Sequence, residues 1–192
     1  MSEHHRFAGR LRKLQKPDAD LLRTFYLGLD AETRRSRFHA AVADDFVARH
    51  AAMLIADAVV YGFFLGDALV GVGELMLPQD RSGGLAEAAF VVAPQARRRG
   101  IATRLMSAVL RSAANRRCRT LSIVSLRDNW AMRKIASNLS ARLSIAFDAL
   151  EAEIAVPAPT ALSVLREAMA DVSDTLVSLA EDAGNRRQAA PA

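Results

Sequence analysis

The chain has 192 residues, 51% of them apolar, and a net charge of +5; this fits one globular domain with a real core and excludes a disordered polyelectrolyte. One cysteine, Cys118, excludes an internal disulfide and a Cys-rich metal centre. No apolar run reaches transmembrane length, and Met1–Arg10 is too polar for a secretory signal, so a cytoplasmic chain with no membrane contact and no metal is expected.

In chain order, residues 1–9 read as a flexible terminus, where His4 and His5 are solvated. A first strand is expected near Arg10–Gln15. Asp18 then caps a helix over Ala19–Leu29, where Leu21, Leu22, Phe25, Tyr26 and Leu29 share one face. Asp30 caps a second helix that carries Arg34, Arg37, Phe38 and His39, and a third covers Ala43–Ala56. Val59–Leu65 and Ala68–Leu77 form a hairpin through Gly66-Asp67. Gly71 and Gly73 in its second arm point to a bulge or a closely approaching ligand. Asp80–Gly84 is a polar loop. A helix runs from Gly100 to about Arg116, with Ile101, Leu105, Ala108 or Val109, and Ser112 inward and Arg104 and Arg111 outward. Cys118 reads as a buried structural thiol. Thr120–Ser125 is a strand, Trp130–Leu139 a helix capped by Asp128-Asn129, and Arg142–Phe147 and Leu150–Val156 are the last two strands.

Pro157-Ala-Pro159 is a linker, and a helix over 160–183 follows. Its Leu162, Leu165, Met169, Val172, Leu176 and Leu179 alternate at three and four residues, a heptad seam. Either the helix lies across its own domain or the seam joins two copies as a homodimer. Residues 185–192 are expected to be disordered.

The stretch Glu87–Thr103 organises the rest. Its first part, with Phe90, Val91 and Val92, is a short apolar run carrying one carboxylate, as in a strand buried on both faces. Pro94 ends the pairing. Arg97, Arg98, Arg99 and Gly100 follow, and then the helix starts with Ile101, Ala102 and Thr103. Strand, glycine turn and helix start in that order make an anion site, because the first-turn N–H groups are free and the helix dipole adds positive potential. No Gly-Lys-Ser/Thr follows, and a lone glycine is no dinucleotide fingerprint. Charge suits nucleic acid in principle, but no basic run interleaves with aromatics, so an anionic small molecule needs fewer assumptions.

The pattern Val92-x-Pro94-x-x-Arg97-x-x-Gly100-Ile101-Ala102 resembles the signature that follows the fourth strand in the GNAT superfamily of acyl-CoA-dependent N-acyltransferases. Two further phrases resemble the branch that includes the protein-lysine acetyltransferases. They are Pro17-Asp18…Leu29-Asp30-x-Glu32-Thr33-Arg34…Arg37-Phe38 and Asn129-x-x-Met132-x-x-x-Ala136-x-x-Leu139. The resemblance implies an α+β fold with helices on both sides of a mixed, mainly antiparallel sheet of six to seven strands, the fourth and fifth splayed, over residues 10–156. It implies acetyl-CoA as cosubstrate, bound by Phe90, Val91, Val92, Arg97 to Thr103 and Asn129, and acetyl transfer by direct attack of a small amine or a protein lysine. Glu87 is the expected general base, with a carboxyl that desolvation raises, and Glu74 is the second candidate. The chain departs from the family at two points. Ala136 stands where many members carry a tyrosine acid, and Ser140-Ala141 replaces a Gly-Phe turn. The rival reading is a non-catalytic acyl-CoA-binding regulatory module.

Overall fold

Seven strands form one mixed sheet in the computed structural model: β1 (Arg10–Lys13), β2 (Val59–Leu65), β3 (Ala68–Met76), β4 (Leu85–Val92), β5 (Thr120–Leu126), β6 (Arg142–Ala146) and β7 (Ala149–Ala155). The structure describes residues 9–78, 84–146 and 149–189. The expected flexible residues 1–8, the loop up to residue 83, Phe147 and residues 190–192 lie outside them. Spatial order is β1-β2-β3-β4-β5-β7-β6. Every neighbouring pair is antiparallel except β4 and β5.

Among the described residues six α-helices surround the sheet: α1 (Ala19–Leu27), α2 (Ala31–Phe38), α3 (Asp44–Asp57), α4 (Ile101–Asn115), α5 (Trp130–Asn138) and α6 (Ala161–Ala189). One core lies between the sheet and α4 and α5, around Leu105, Met106, Val109, Leu121 and Ile123. A second lies beneath α1 and α3, around Leu22, Tyr26, Val47, Leu54 and Val72. Each fully buried Leu or Val stabilises by about 1.5–3 kcal/mol. Ile101, Leu105, Ala108, Val109 and Ser112 are all buried on α4, as the helical spacing predicts. Cys118 is buried, and burial pushes its thiol up.

The two glycines of β3 have a packing reason. The β2–β3 register shifts at Phe63/Phe64, beside Gly71. A Cβ on Gly71 would lie 3.0 Å from Ile101 Cγ2, and one on Gly73 would lie 3.2 Å from the Phe90 ring. A bulge and the close approach of α4, rather than a ligand, require them.

Several boundaries differ from expectation. α1 stops at Leu27, with Gly28 as its C-cap. The C-terminal helix runs to Ala189. Ala, Arg and Gln beyond Gly184 are good helix formers, and one glycine costs only about 1 kcal/mol.

The largest surprise is how α6 docks. Its acidic face lies along the edge of β1. The Lys13 N–H donates to Asp174 at 2.7 Å, and Lys13 Nζ meets Glu167 at 3.2 Å. Arg12, 2% exposed, donates to Asp18 and to Glu181. Ser178 donates to Asp18, and Arg116 and Ser112 both donate to Glu167. A carboxylate-bearing helix thus closes a strand edge whose backbone would otherwise be open to another chain.

Candidate active site

The site begins where two strands part. β4 and β5 stay paired only from Leu85↔Thr120 to Ala88↔Ile123. Beyond that point β4 continues to Val92 against β3, while β5 continues to Leu126 against β7. A wedge opens between them, and a cleft of about 390 Å³ sits there. Glu87, Ala88, Ala89 and Phe90 line one side, Ser122 to Ser125 the other, and Asn129 and Met132 one end. Ser36, Arg37 and Phe38 of α2, His39 just past its end, and His50 and Met53 of α3 form its outer wall.

Strand geometry aims main-chain donors into this wedge. Ala93 N–H donates to Val70 O, and Gly71 lies opposite Val92. That makes Gly71–Val92 a non-hydrogen-bonded pair, so the Val92 and Phe90 N–H groups face away from β3, toward the parted side. The Val91 side chain is buried and packs into the core beneath α1 and α3, so it adds little but shape.

The basic turn lies at the end of the same strand. Gly100 is the N-cap of α4 with φ 74°, and Arg98 has φ 61°. Nothing lies within 4 Å of a Cβ built on Gly100, so the left-handed backbone alone calls for glycine here. The Ile101, Ala102 and Thr103 N–H groups fall in the first turn, where no intrahelical carbonyl reaches them. Such a turn of alternating backbone hand, leading into a helix N-terminus, is an anion cradle. Ile101 itself is buried, so only its main chain can serve. Arg98 and Arg99 are exposed at the rim. The Arg97 guanidinium is committed elsewhere: Nη2 donates to Thr33 Oγ1 at 2.7 Å and Nε to Val92 O at 3.2 Å. Thr33 in turn is held by Asp30, the cap of α2. Arg97 therefore ties the turn to the outer wall of the cleft instead of offering its charge to a ligand.

The two carboxylates differ sharply. Glu74 is 1% exposed and accepts from Arg37 through both oxygens, with Nε at 2.9 Å from Oε1, and from the Tyr26 hydroxyl. Burial pushes its carboxyl up, but Arg37 and the hydrogen bonds from His50, Arg37 and Tyr26 outweigh this and hold it at about 2. Burial and the Glu74 charge push the Tyr26 hydroxyl far up, so it stays a donor. Glu87 lies on the same sheet face but is exposed. The expected burial of Glu87 is not found: its side chain is exposed although β4 and β5 are still paired at this point, Glu87 opposite Ser122.

His50 was not legible as a site residue. It stands 3.2 Å from Arg37 Nη2 and 3.6 Å from Glu74 Oε2, and stacks on Phe46. Its spacing of four from Phe46 on one helix face was the available signal. His39, at φ 57°, is kept neutral by partial burial and by Arg37. Asn129 caps α5 by accepting from Met132 N at 3.1 Å, which leaves its amide NH₂ to donate into the cleft. Ala136 is 1% exposed in the core. Ser140 adopts φ 52° and Ala141 N–H bonds Ala136 O at 3.0 Å, so a serine accepts the left-handed turn that glycine would make without strain.

A family model described as Acetyltransferase (GNAT) family matches residues 20–135. Among solved structures, the chain is similar to the GNAT domain of S. lividans PAT, at 22% identity and TM-score 0.64, covering 77% of this chain and 90% of that one. It is similar to yncA from Salmonella typhimurium, solved with its cofactor acetyl-CoA, at 16% identity and TM-score 0.59, covering 80% and 98%. It is also similar to the paia N-acetyltransferase from Thermoplasma acidophilum in complex with coenzyme A, at 14% identity and TM-score 0.58, covering 77% and 99%. No curated protein matches the sequence.

Proposed function

The chain belongs to the acetyltransferase (GNAT) family, and on that premise we propose that it moves an acetyl group from acetyl-CoA to an amine, with Glu87 as general base. One observation carries the reading. One strand, β4, presents Glu87 to the cleft and, at its end, turns the Val92 N–H away from β3, and the free first-turn donors of α4 follow at Gly100. The residues fit the cosubstrate. The N–H groups of the Gly100 turn would hold its diphosphate, with Arg98 and Arg99 beside them. Phe90, Val92 and the Asn129 amide would hold the pantetheine arm along the parted strands. Acetyl-CoA supplies an acetyl group activated as a thioester.

The chain's own groups then have three tasks. The Val92 N–H polarises the acyl carbonyl, as a donor fixed by the strand. Glu87 takes a proton from the acceptor, since an amine with pKa ~10.4 arrives charged at neutral pH. Glu74 is the poorer base, because Arg37 holds its carboxyl at about 2 and Tyr26 covers it. Its role is to fix Arg37 on the wall of the acceptor side. No side chain at position 136 can protonate the departing thiolate, which takes its proton from solvent in the open cleft. The acceptor is a small amine or a protein lysine. Among the described residues no helix is long and apolar enough to cross a membrane, and the cytoplasm is the proposed compartment.

The alanine at 136 is the observation that favours the rival, an acyl-CoA-binding regulatory module without turnover. The test separates the two. Arg99→Ala with Gly100→Glu should abolish acetyl-CoA binding measured by calorimetry. Glu87→Gln should keep that binding and lower kcat by roughly 100-fold or more. Unchanged turnover removes Glu87 as the base, and binding without consumption across amines and lysine peptides establishes the regulatory module.

A further inference from the structure

The docked face of α6 leaves an unpartnered one. Leu162, Leu165, Met169, Val172, Leu176 and Leu179 are 52–66% exposed, on the side opposite Glu167, Asp174, Ser178 and Glu181. Each half-exposed aliphatic side chain offers roughly 100 Å² of apolar surface, so the row exposes on the order of 600 Å². That reaches the largest patch usual on a monomer, about 300–600 Å². With Ala161, Ala168 and Ala180 beside it, it approaches the ~800 Å² per partner of a standard stable interface.

We propose that this face is a homodimer interface, in which α6 of one copy packs antiparallel on α6 of a second. The spacing of the row is the same read in either direction: 3, 4, 3, 4, 3 residues. An antiparallel pair about a two-fold axis near Ala170 therefore sets Leu162 against Leu179 of the second copy, Leu165 against Leu176, and Met169 against Val172. Every large side chain meets another, and the surface is complementary to itself, as a two-fold interface requires. The flanks suit self-association. They are Ala161, Ala168 and Thr175 on one side and Arg166, Ser173 and Ala180 on the other. Small residues permit close approach, and the lone flanking cation, Arg166, borders Ser173 of the second copy, on the same flank, and not another charge. Antiparallel helix dipoles also oppose each other favourably. The acidic residues that would repel a second copy are turned inward and neutralised by Arg10, Arg12, Lys13 and Arg116. Polar docking thus frees the seam for pairing and keeps both catalytic clefts away from the joint.

The full chain should sediment as a dimer at micromolar concentration. Met169→Glu should raise the dimer dissociation constant by roughly 100-fold or more, because it buries paired charges at the centre of the seam. Circular dichroism and acetyl-CoA affinity should not change, since the side chain is exposed in the single chain. Register is tested by disulfide trapping. Leu162→Cys mixed with Leu179→Cys should cross-link under mild oxidation, and neither variant should cross-link alone. A chain that stays monomeric up to ~100 µM overturns the proposal and leaves the face to another protein. Cross-linking of Leu162→Cys with itself overturns the antiparallel arrangement.

Discussion

Two long helices of this protein, α4 and α6, carry comparable apolar rows and bury opposite faces. α4 sets Ile101, Leu105, Met106 and Val109 into the sheet and leaves Arg104 and Arg111 to solvent. α6 sets Glu167, Asp174, Ser178 and Glu181 against β1 and turns its leucines outward. Periodicity identifies a helix and its two faces; it does not say which face the rest of the domain will take. The surface on offer decides. The sheet interior offers Ala86, Leu121 and Ile123 to α4. The β1 edge offers Arg10, Arg12, Lys13 and an unpaired backbone N–H to α6.

The contrast can be broken at graded cost. Leu105→Ala should destabilise the domain most, by about 3 kcal/mol in chemical denaturation, because α4 cannot collapse into the cavity. Glu167→Ala should cost less, about 2 kcal/mol, since it leaves Lys13 and the half-buried Arg116 without their shared partner. It should also raise amide exchange along α6 and leave α4 protected.

Acid should act on α6 in the same sense. Burial pushes the Glu167 carboxyl up, but hydrogen bonds from Ser112, Arg116 and Asn115 and the charge of Arg116 hold it at about 2 in the folded chain, against ~4.3 when unfolded. A depressed folded pKa stabilises fully above the unfolded value and loses that contribution as pH falls through the folded one. Protection of α6 should therefore decline between about pH 4.3 and pH 2, offset in part by Asp174, whose carboxyl burial raises. Glu167→Gln should flatten that profile, and a flat wild-type profile would break the polar-docking account. The smallest effect belongs to the outward row. Leu165→Ala should change the stability of dilute protein by less than about 0.5 kcal/mol, and a larger loss would mean that the row packs on its own domain.

Much of the fold was legible. Hairpin arms, glycine turn and α4 fall within a residue or two of the reading from residue types, since each carries a local signal such as Gly66-Asp67, Pro94 or Asp30. The Gly100 turn was visible for the same reason. The Glu74–Arg37–Tyr26–His50 cluster was not, because its four members come from β3, α2, α1 and α3 and share no spacing. Nor was the commitment of Arg97 to Thr33 and Val92, which depends on α2 reaching the end of β4.

By itself the sequence determined the order of strands and helices, the glycine turn before α4 and the two faces of α6, all of which depend on neighbours a few residues apart. Only the tertiary structure decided where β4 leaves β5, which glutamate is clasped by an arginine and which is exposed, and that α6 turns its acids inward. Those outcomes depend on desolvation and charge pairing between segments far apart in the chain, and the balance between them is struck only when the surfaces meet.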